Sequence, residues 1–341
     1  MGASGGAAGL LALFIIGAVA TFGVASSSAN TSIVPSAYIL VQVDQSGGGD
    51  YMKIQDAIDA VICPKEILCK ISASPGLTSS REKIVVSADK PFVTLAGTDA
   101  DSTVISWNDA GNTMESATVT ILASDFVGRN ITIQNTFGSG TQAPALRVSG
   151  DRAAFYGCRM LSYQDTLLDN SGRHYYKDCY IEGGTDFICG DALSLFEASS
   201  LPIANHPTGT SSAADLTGYS FVGCNITGRG RAILGRPWGN FSTVVFARTY
   251  MSSAIVPRGW DDWGKPSSHR TVFYGEYECF GPGARLAGRV SWSRSLSADE
   301  VAPFLNISMI DGEAWLSPPP THFRNSSVGA AEGPIPPGAH A

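Results

Sequence analysis

From residue 126 onward a short pattern returns: an aromatic residue, a few small or polar residues, then an apolar one. Phe126-Val-Gly-Arg-Asn-Ile131 is followed by Phe155-Tyr-Gly-Cys-Arg-Met160 and Tyr176-Lys-Asp-Cys-Tyr-Ile181. Phe196-Glu-Ala-Ser-Ser-Leu201, Phe221-Val-Gly-Cys-Asn-Ile226 and Phe246-Ala-Arg-Thr-Tyr-Met251 continue it. The leading aromatics stand 29, 21, 20, 25 and 25 residues apart. That is too close for repeated strand-helix-strand units, which take about 30 residues or more. The spacing instead predicts coils of short strands, each stacked on the one before at about 4.8 Å. The expected fold class is all-β, a right-handed single-stranded parallel β-helix. Aromatics then form one ladder, and Cys158, Cys179 and Cys224 share a position in another, as bridges or as small packing residues. An antiparallel sandwich is the competing reading, but irregular loops rather than Asn-Gly or Asp-Gly hairpins separate the strands.

Around this core, Ile54 to Ile62 has helical apolar spacing and is expected to cap the N-terminal end. Ser297 to Leu305 reads as a second short helix. From residue 317 the chain is rich in Pro and Gly and is expected to be an unfolded tail. Near the start, Leu10 to Ala25 is an apolar run, no Lys or Arg precedes Lys53, and small residues follow. The run is shorter than the roughly 18 or more residues of a membrane span, so 1–29 reads as a secretory signal peptide. A signal anchor is the alternative. One catalytic domain is expected over 30–316.

Composition narrows the partners. The chain has 341 residues, 44% apolar and 16% charged, which excludes a disordered chain or coiled coil. Its 23 basic and 30 acidic residues give −7 without a basic cluster, so nucleic acid is not an expected partner. Seven cysteines lack the paired Cys-x-x-Cys spacing of a zinc site. Cys63 and Cys69 are close enough for a short-loop bridge, or are two small buried hydrophobes. Six Asn-x-Ser/Thr triplets, at Asn30, Asn130, Asn225, Asn240, Asn306 and Asn325, agree with secretion.

Four segments set polar and aromatic residues among apolar strands: Gln142-Ala-Pro-Ala-Leu146, Tyr163-Gln-Asp-Thr-Leu167, Asp186-Phe-Ile-Cys-Gly190 and Leu234-Gly-Arg-Pro-Trp238. Asp165 and Asp186 are 21 residues apart and Gln142 and Gln164 are 22 apart, about one coil each. Two carboxylates, two amides and an arginine should therefore converge. Close carboxylates cannot both ionise freely. One paired with Arg236 could attack an electrophile, and its neighbour could hold a proton for a leaving group. Glutamine amides could stabilise a transient oxyanion. This suits ester hydrolysis through an acyl-enzyme. A structural Asp–Arg salt bridge with supporting amides, and a glycosidase, remain open on spacing alone.

At these segments the chain resembles the pectin methylesterases (pectinesterases) of plant cell walls. The resemblance runs from about Val41 to Trp315 and includes Gly259-Trp-Asp-Asp-Trp263, Tyr274-Gly-Glu-Tyr277, Gly281-Pro-Gly283 and Arg289-Val-Ser-Trp292. It implies a right-handed parallel β-helix that demethylates homogalacturonan, with no metal or cofactor. It implies Asp186 as nucleophile, Asp165 as acid and then base, Gln142 and Gln164 as oxyanion donors, and Arg236 as the partner of the nucleophile. Tyr163, Phe187, Trp238 and Trp260 are implied as aromatic cleft walls, with core packing the plainer role for Phe187. Methyl-esterified pectin is the implied substrate, a proteinaceous inhibitor a possible partner, the form a monomer, and the location the cell wall. Only about 40 residues precede the first matched strand, as in the shorter plant form without an inhibitor-like pro-region.

Three features depart from the family pattern. Pro144 stands where Val is usual and is expected to remove a ladder donor from a strand. Cys189 stands for Phe, opening space or adding a thiol near the site. Pro75 to Glu82 lacks the usual Tyr and carries two extra residues. A pectin-binding homologue with a spoiled site, and a glycosidase or lyase on the same polymer, are the rival functions. The lyase would want a clustered acidic calcium site, and none is evident.

Overall fold

The computed structural model describes residues 37–61, 67–73, 80–203, 217–228, 230–239, 241–316 and 324–325. The described strands form three sheets, of twelve, eight and five strands, and all their pairings are parallel. One coil shows the plan. Ala153–Tyr156 lies in the largest sheet, Arg159–Leu161 in the eight-stranded sheet and Leu167–Asp169 in the five-stranded one. Arg173–Lys177 then begins the next coil against Ala153–Tyr156, with Phe155 opposite Tyr176. The expected parallel β-helix is present. Such a coil can bury Phe155, Met160 and Leu167 together because its three strands all turn alternate side chains inward.

The aromatic ladder is regular from its second member. Phe155, Tyr176, Phe196, Phe221 and Phe246 stack with centroids 5.1, 4.6, 4.6 and 4.6 Å apart and planes within 18°. Each such pair adds about 0.5–1.5 kcal/mol beyond burial. The first rung differs from expectation by two residues. Gly128, not Phe126, is opposite Phe155, and Phe126 meets that ring tilted at 45°. A Cβ on Gly128 would come within 2.7 Å of the Phe155 ring, so glycine leaves the room the ring takes.

Between the largest and the eight-stranded sheet each coil turns through a residue with positive φ. Gly157, Asp178, Ala198, Gly223, Arg248 and Glu278 do so at φ 58, 52, 50, 62, 50 and 47°. The next residue points inward, giving Cys158, Cys179, Ser199, Cys224, Thr249 and Cys279. These four cysteines are free thiols, so the ladder packs small side chains and is not bridged. Cys69 is disulfide-bonded, and Cys63, its expected partner, falls outside the described residues.

The first helix forms over Ile54–Ala60 and buries Ile54, Ala57 and Ile58. Lys53 gives it no side-chain cap. Glu82 on the following coil does so instead, accepting from the N–H groups of Ile54 and Gln55 at 3.3 and 3.1 Å. The second expected helix is Ala298–Val301, started by a Ser297/Glu300 capping box and extended as 3-10 helix over Ala302–Phe304. Arg324–Asn325 pairs in parallel with Ala37–Val43, so the expected unfolded tail is interrupted there by a two-residue strand. The expected leader, 1–29, lies outside the described residues.

Two buried ionic groups interrupt the apolar interior. Asp169 accepts from His174 Nδ1 at 2.6 Å, from the Tyr176 hydroxyl at 2.7 Å and from the Ser194 hydroxyl. His174 Nε2 faces the Gly150 carbonyl at 2.9 Å. Both ring nitrogens thus meet acceptors, which suits an imidazolium. Burial opposes that charge, but Asp169 outweighs it and raises the His174 pKa. Further along, Glu276 stands opposite Phe246 in the ladder register. Arg289 meets it bidentately at 2.7 and 2.9 Å, and Trp260 Nε1 donates to it at 3.2 Å.

Candidate active site

The turn from the eight-stranded to the five-stranded sheet holds both aspartates. Gln164 bridges to Thr185, Asp165 N–H donates to Thr185 O at 3.0 Å, and Leu167 pairs with Ile188. Asp165 and Asp186 therefore occupy the same place on consecutive coils, one strand spacing of about 4.8 Å apart. Both are held at positive φ, 60° and 44°. For a non-glycine residue this conformation is costly and concentrates at functional sites.

The two carboxyls are treated unequally. Arg236, from a later coil, donates through Nε to Asp186 Oδ1 at 3.1 Å and through a terminal nitrogen to Oδ2 at 2.6 Å. This two-pronged contact matches an ionised carboxylate. Asp165 has no such cation. Burial, chiefly, and the charge of Asp186 push it up to about 6, against a Thr113 hydrogen bond and the charge of Arg236. One carboxyl suits attack and the other can carry a proton near neutrality.

Gln142 and Gln164 lie on successive coils beside this pair, half-buried. Gln142 Oε1 accepts from the Thr141 hydroxyl at 2.9 Å, which points its amide N–H groups elsewhere. Tyr163 is half-buried and its ring covers Gly184, where a Cβ would meet ring atoms at 2.7 Å. Trp238 is also half-buried, and its Nε1 has no hydrogen-bond partner among the described residues.

Two expected wall residues are not at the surface. Trp260 is 0% exposed, stacked 4.5 Å from Tyr274 and bonded to Glu276, so it is core. Phe187 is 3% exposed and lines an interior apolar gap with Leu201, Phe221 and Phe246. Trp263, not among the expected wall residues, is 48% exposed, and its ring centroid is 4.4 Å from the Arg236 guanidinium carbon and 5.5 Å from Lys265 Nζ. Its signal in the sequence was Asp261-Asp262 just before it, a polar turn that tips it outward. Pro144 is corrected too. It lies two residues before the strand Leu146–Val148 rather than within it, and its carbonyl accepts from Thr118 N–H. Cys189 is buried in the pair with Leu168, and burial holds its thiol well above the usual range.

A parallel β-helix carrying a stacked, unequal pair of carboxyls is an arrangement that carboxylate-based hydrolysis could use. The pectinesterase family model matches residues 40–313, and the chain belongs to that family. It is 48% identical to an Arabidopsis thaliana protein named pectinesterase 11, over 93% of this chain and 92% of that one. It is 40% identical to Arabidopsis thaliana pectinesterase 31, over 81% and 95%. Among solved structures, pectin methylesterase from carrot matches with a TM-score of 0.76 at 30% identity, covering 83% of this chain and 95% of that one. The enzyme from Aspergillus niger matches at 0.71 and 28%, over 82% and 94%. The fold is thus the right-handed parallel β-helix of these enzymes.

Proposed function

We propose that this pectinesterase demethylates homogalacturonan through an aspartyl acyl-enzyme. Asp186 attacks the C6 ester carbonyl, and the carbonyl electrons move onto oxygen beside the amides of Gln142 and Gln164. Collapse breaks the bond to methoxide, which takes the Asp165 proton and leaves as methanol. Water then attacks the acyl-enzyme, returns its proton to Asp165 and releases Asp186 as carboxylate. The observation that carries this reading is the asymmetry of the pair: Arg236 holds both oxygens of Asp186, while Asp165 is held near 6. Burial of Cys189, with its thiol away from the surface, speaks against a spoiled, merely pectin-binding site.

The test is methanol release from highly methylated pectin by the purified protein, with polymer length followed in parallel. Methanol at constant length is expected; chain shortening would favour a glycosidase or lyase. The aromatic wall is tested separately. Trp263→Ala is expected to raise KM for pectin roughly fivefold, about 1 kcal/mol, with kcat nearly unchanged. Trp260→Ala should instead lose stability, by about 3–5 kcal/mol. An unaltered KM in Trp263→Ala would remove that residue from the cleft.

The same reading includes secretion to the cell wall, action there as a monomer, and control by a proteinaceous inhibitor. The disulfide at Cys69 supports the oxidising compartment, as does the apolar run at residues 10–25.

A further inference from the structure

We propose that Thr113 is a positioning residue that lets Asp165 serve as acid in one half of the reaction and as base in the other. The proposal rests on the roles given to Asp165 above. The Thr113 hydroxyl donates to Asp165 Oδ2 at 3.0 Å. Among the described residues it is the one hydrogen-bond partner of that carboxyl. Arg236 and Asp186 act on it through space, and the buried Cys189 thiol beside it stays neutral.

The loop that carries Thr113 is fastened on both sides. Before it, Asn135 Nδ2 donates to Asp109 O at 2.8 Å, and Gly111 N–H donates to Gln142 O at 2.9 Å. After it, Met114 N–H donates to Asn112 Oδ1 at 2.9 Å, and Arg147 donates to Met114 O at 2.6 Å. The Gly111 bond ties this loop to the backbone of an expected oxyanion donor. Thr113 is therefore presented to Asp165 by a braced turn rather than by a free surface loop.

The chemistry needs two states of one carboxyl. Burial and the neighbouring negative charge favour the acid, which must give its proton to methoxide. The resulting carboxylate must persist until water attacks, and a donor on Oδ2 stabilises it. While Thr113 occupies Oδ2, the exchangeable proton belongs on Oδ1. The hydroxyl thus selects the oxygen that carries the proton and keeps the carboxyl from being too weak an acid to release it.

The experiment is the pH profile of kcat/KM for Thr113→Val, which keeps the shape and removes the donor, beside Thr113→Ser, which restores it. Acylation needs Asp165 protonated, so kcat/KM falls as pH rises through its pKa. Thr113→Val should move that alkaline limb up by about one pH unit and lower kcat at acid pH, where deacylation lacks its base. Thr113→Ser should return the limb to the parental position. An unmoved limb in Thr113→Val, or a serine variant that behaves like the valine one, overturns the proposal. Asp165→Asn separates the two readings: if its residual activity keeps the parental alkaline limb, the role of Asp165 itself is wrong, and the proposal goes with it.

Discussion

Asp186→Asn is expected to reduce kcat for methanol release by about four orders of magnitude or more while the protein stays folded. The amide nearly matches the carboxylate in shape but is neutral and a far weaker nucleophile at neutral pH. Arg236 can still donate to the amide oxygen, and it is partly exposed, so water can serve the rest of the guanidinium. Removing Arg236 is a poorer test. It leaves a buried Asp186 without that counter-ion, and a variant that loses activity by losing the site says little about chemistry. Methanol assay together with a thermal unfolding curve decides the matter. A cooperatively folded Asp186→Asn protein turning over at the parental rate would sink the acyl-enzyme reading.

Asp169→Asn should cost about 3–5 kcal/mol of stability, far more than a surface substitution, because it strands a buried imidazolium and two buried hydroxyls. In urea this appears as a lower midpoint with an unchanged slope. The pH dependence has a definite sign. The folded-state pKa of His174 is raised above its unfolded value near 6.5. Its contribution is therefore complete below about 6.5 and is lost as pH climbs through the raised folded value. Midpoints followed from pH 5 to 9 should fall on the alkaline side in the parent, and that fall should vanish in Asp169→Asn. Parallel curves for the two proteins would show that His174 is not charged in the folded state.

The coil and the adjacency of the two aspartates were legible for one physical reason. Stacking converts a sequence offset of about one coil into adjacency, so Asp165 and Asp186 could be placed together from their 21-residue spacing. The Ser297 helix was legible because its capping box is local. The misses share a cause as well. Phe126 and Gly128 lie two apart and face the same side of a strand, so periodicity cannot choose between them, and only the size of the Phe155 ring does. Trp260 and Trp263 lie on opposite sides of a turn whose direction is set by a positive φ at Trp263. Phe187 follows Asp186 directly, and the backbone that sends the carboxyl outward sends the ring into the core. The Asp169–His174 pair bridges two sheets, and nothing in the spelling of Asp169 to His174 shows that both side chains turn inward.

A structure that grows by laying like on like also needs a way to stop. Up to Phe246 each ring offers its face to the next, and nothing in that rule sets a final member. Glu276 ends the run of rings by putting a carboxylate opposite Phe246, held by Arg289 and Trp260, although the sheet itself goes on with Ser295 opposite Glu276. The buried ion pair thus acts as a chain terminator in the polymer chemist's sense. It closes the run of stacked rings inside the core, one strand before the edge that Arg294–Ser295 forms.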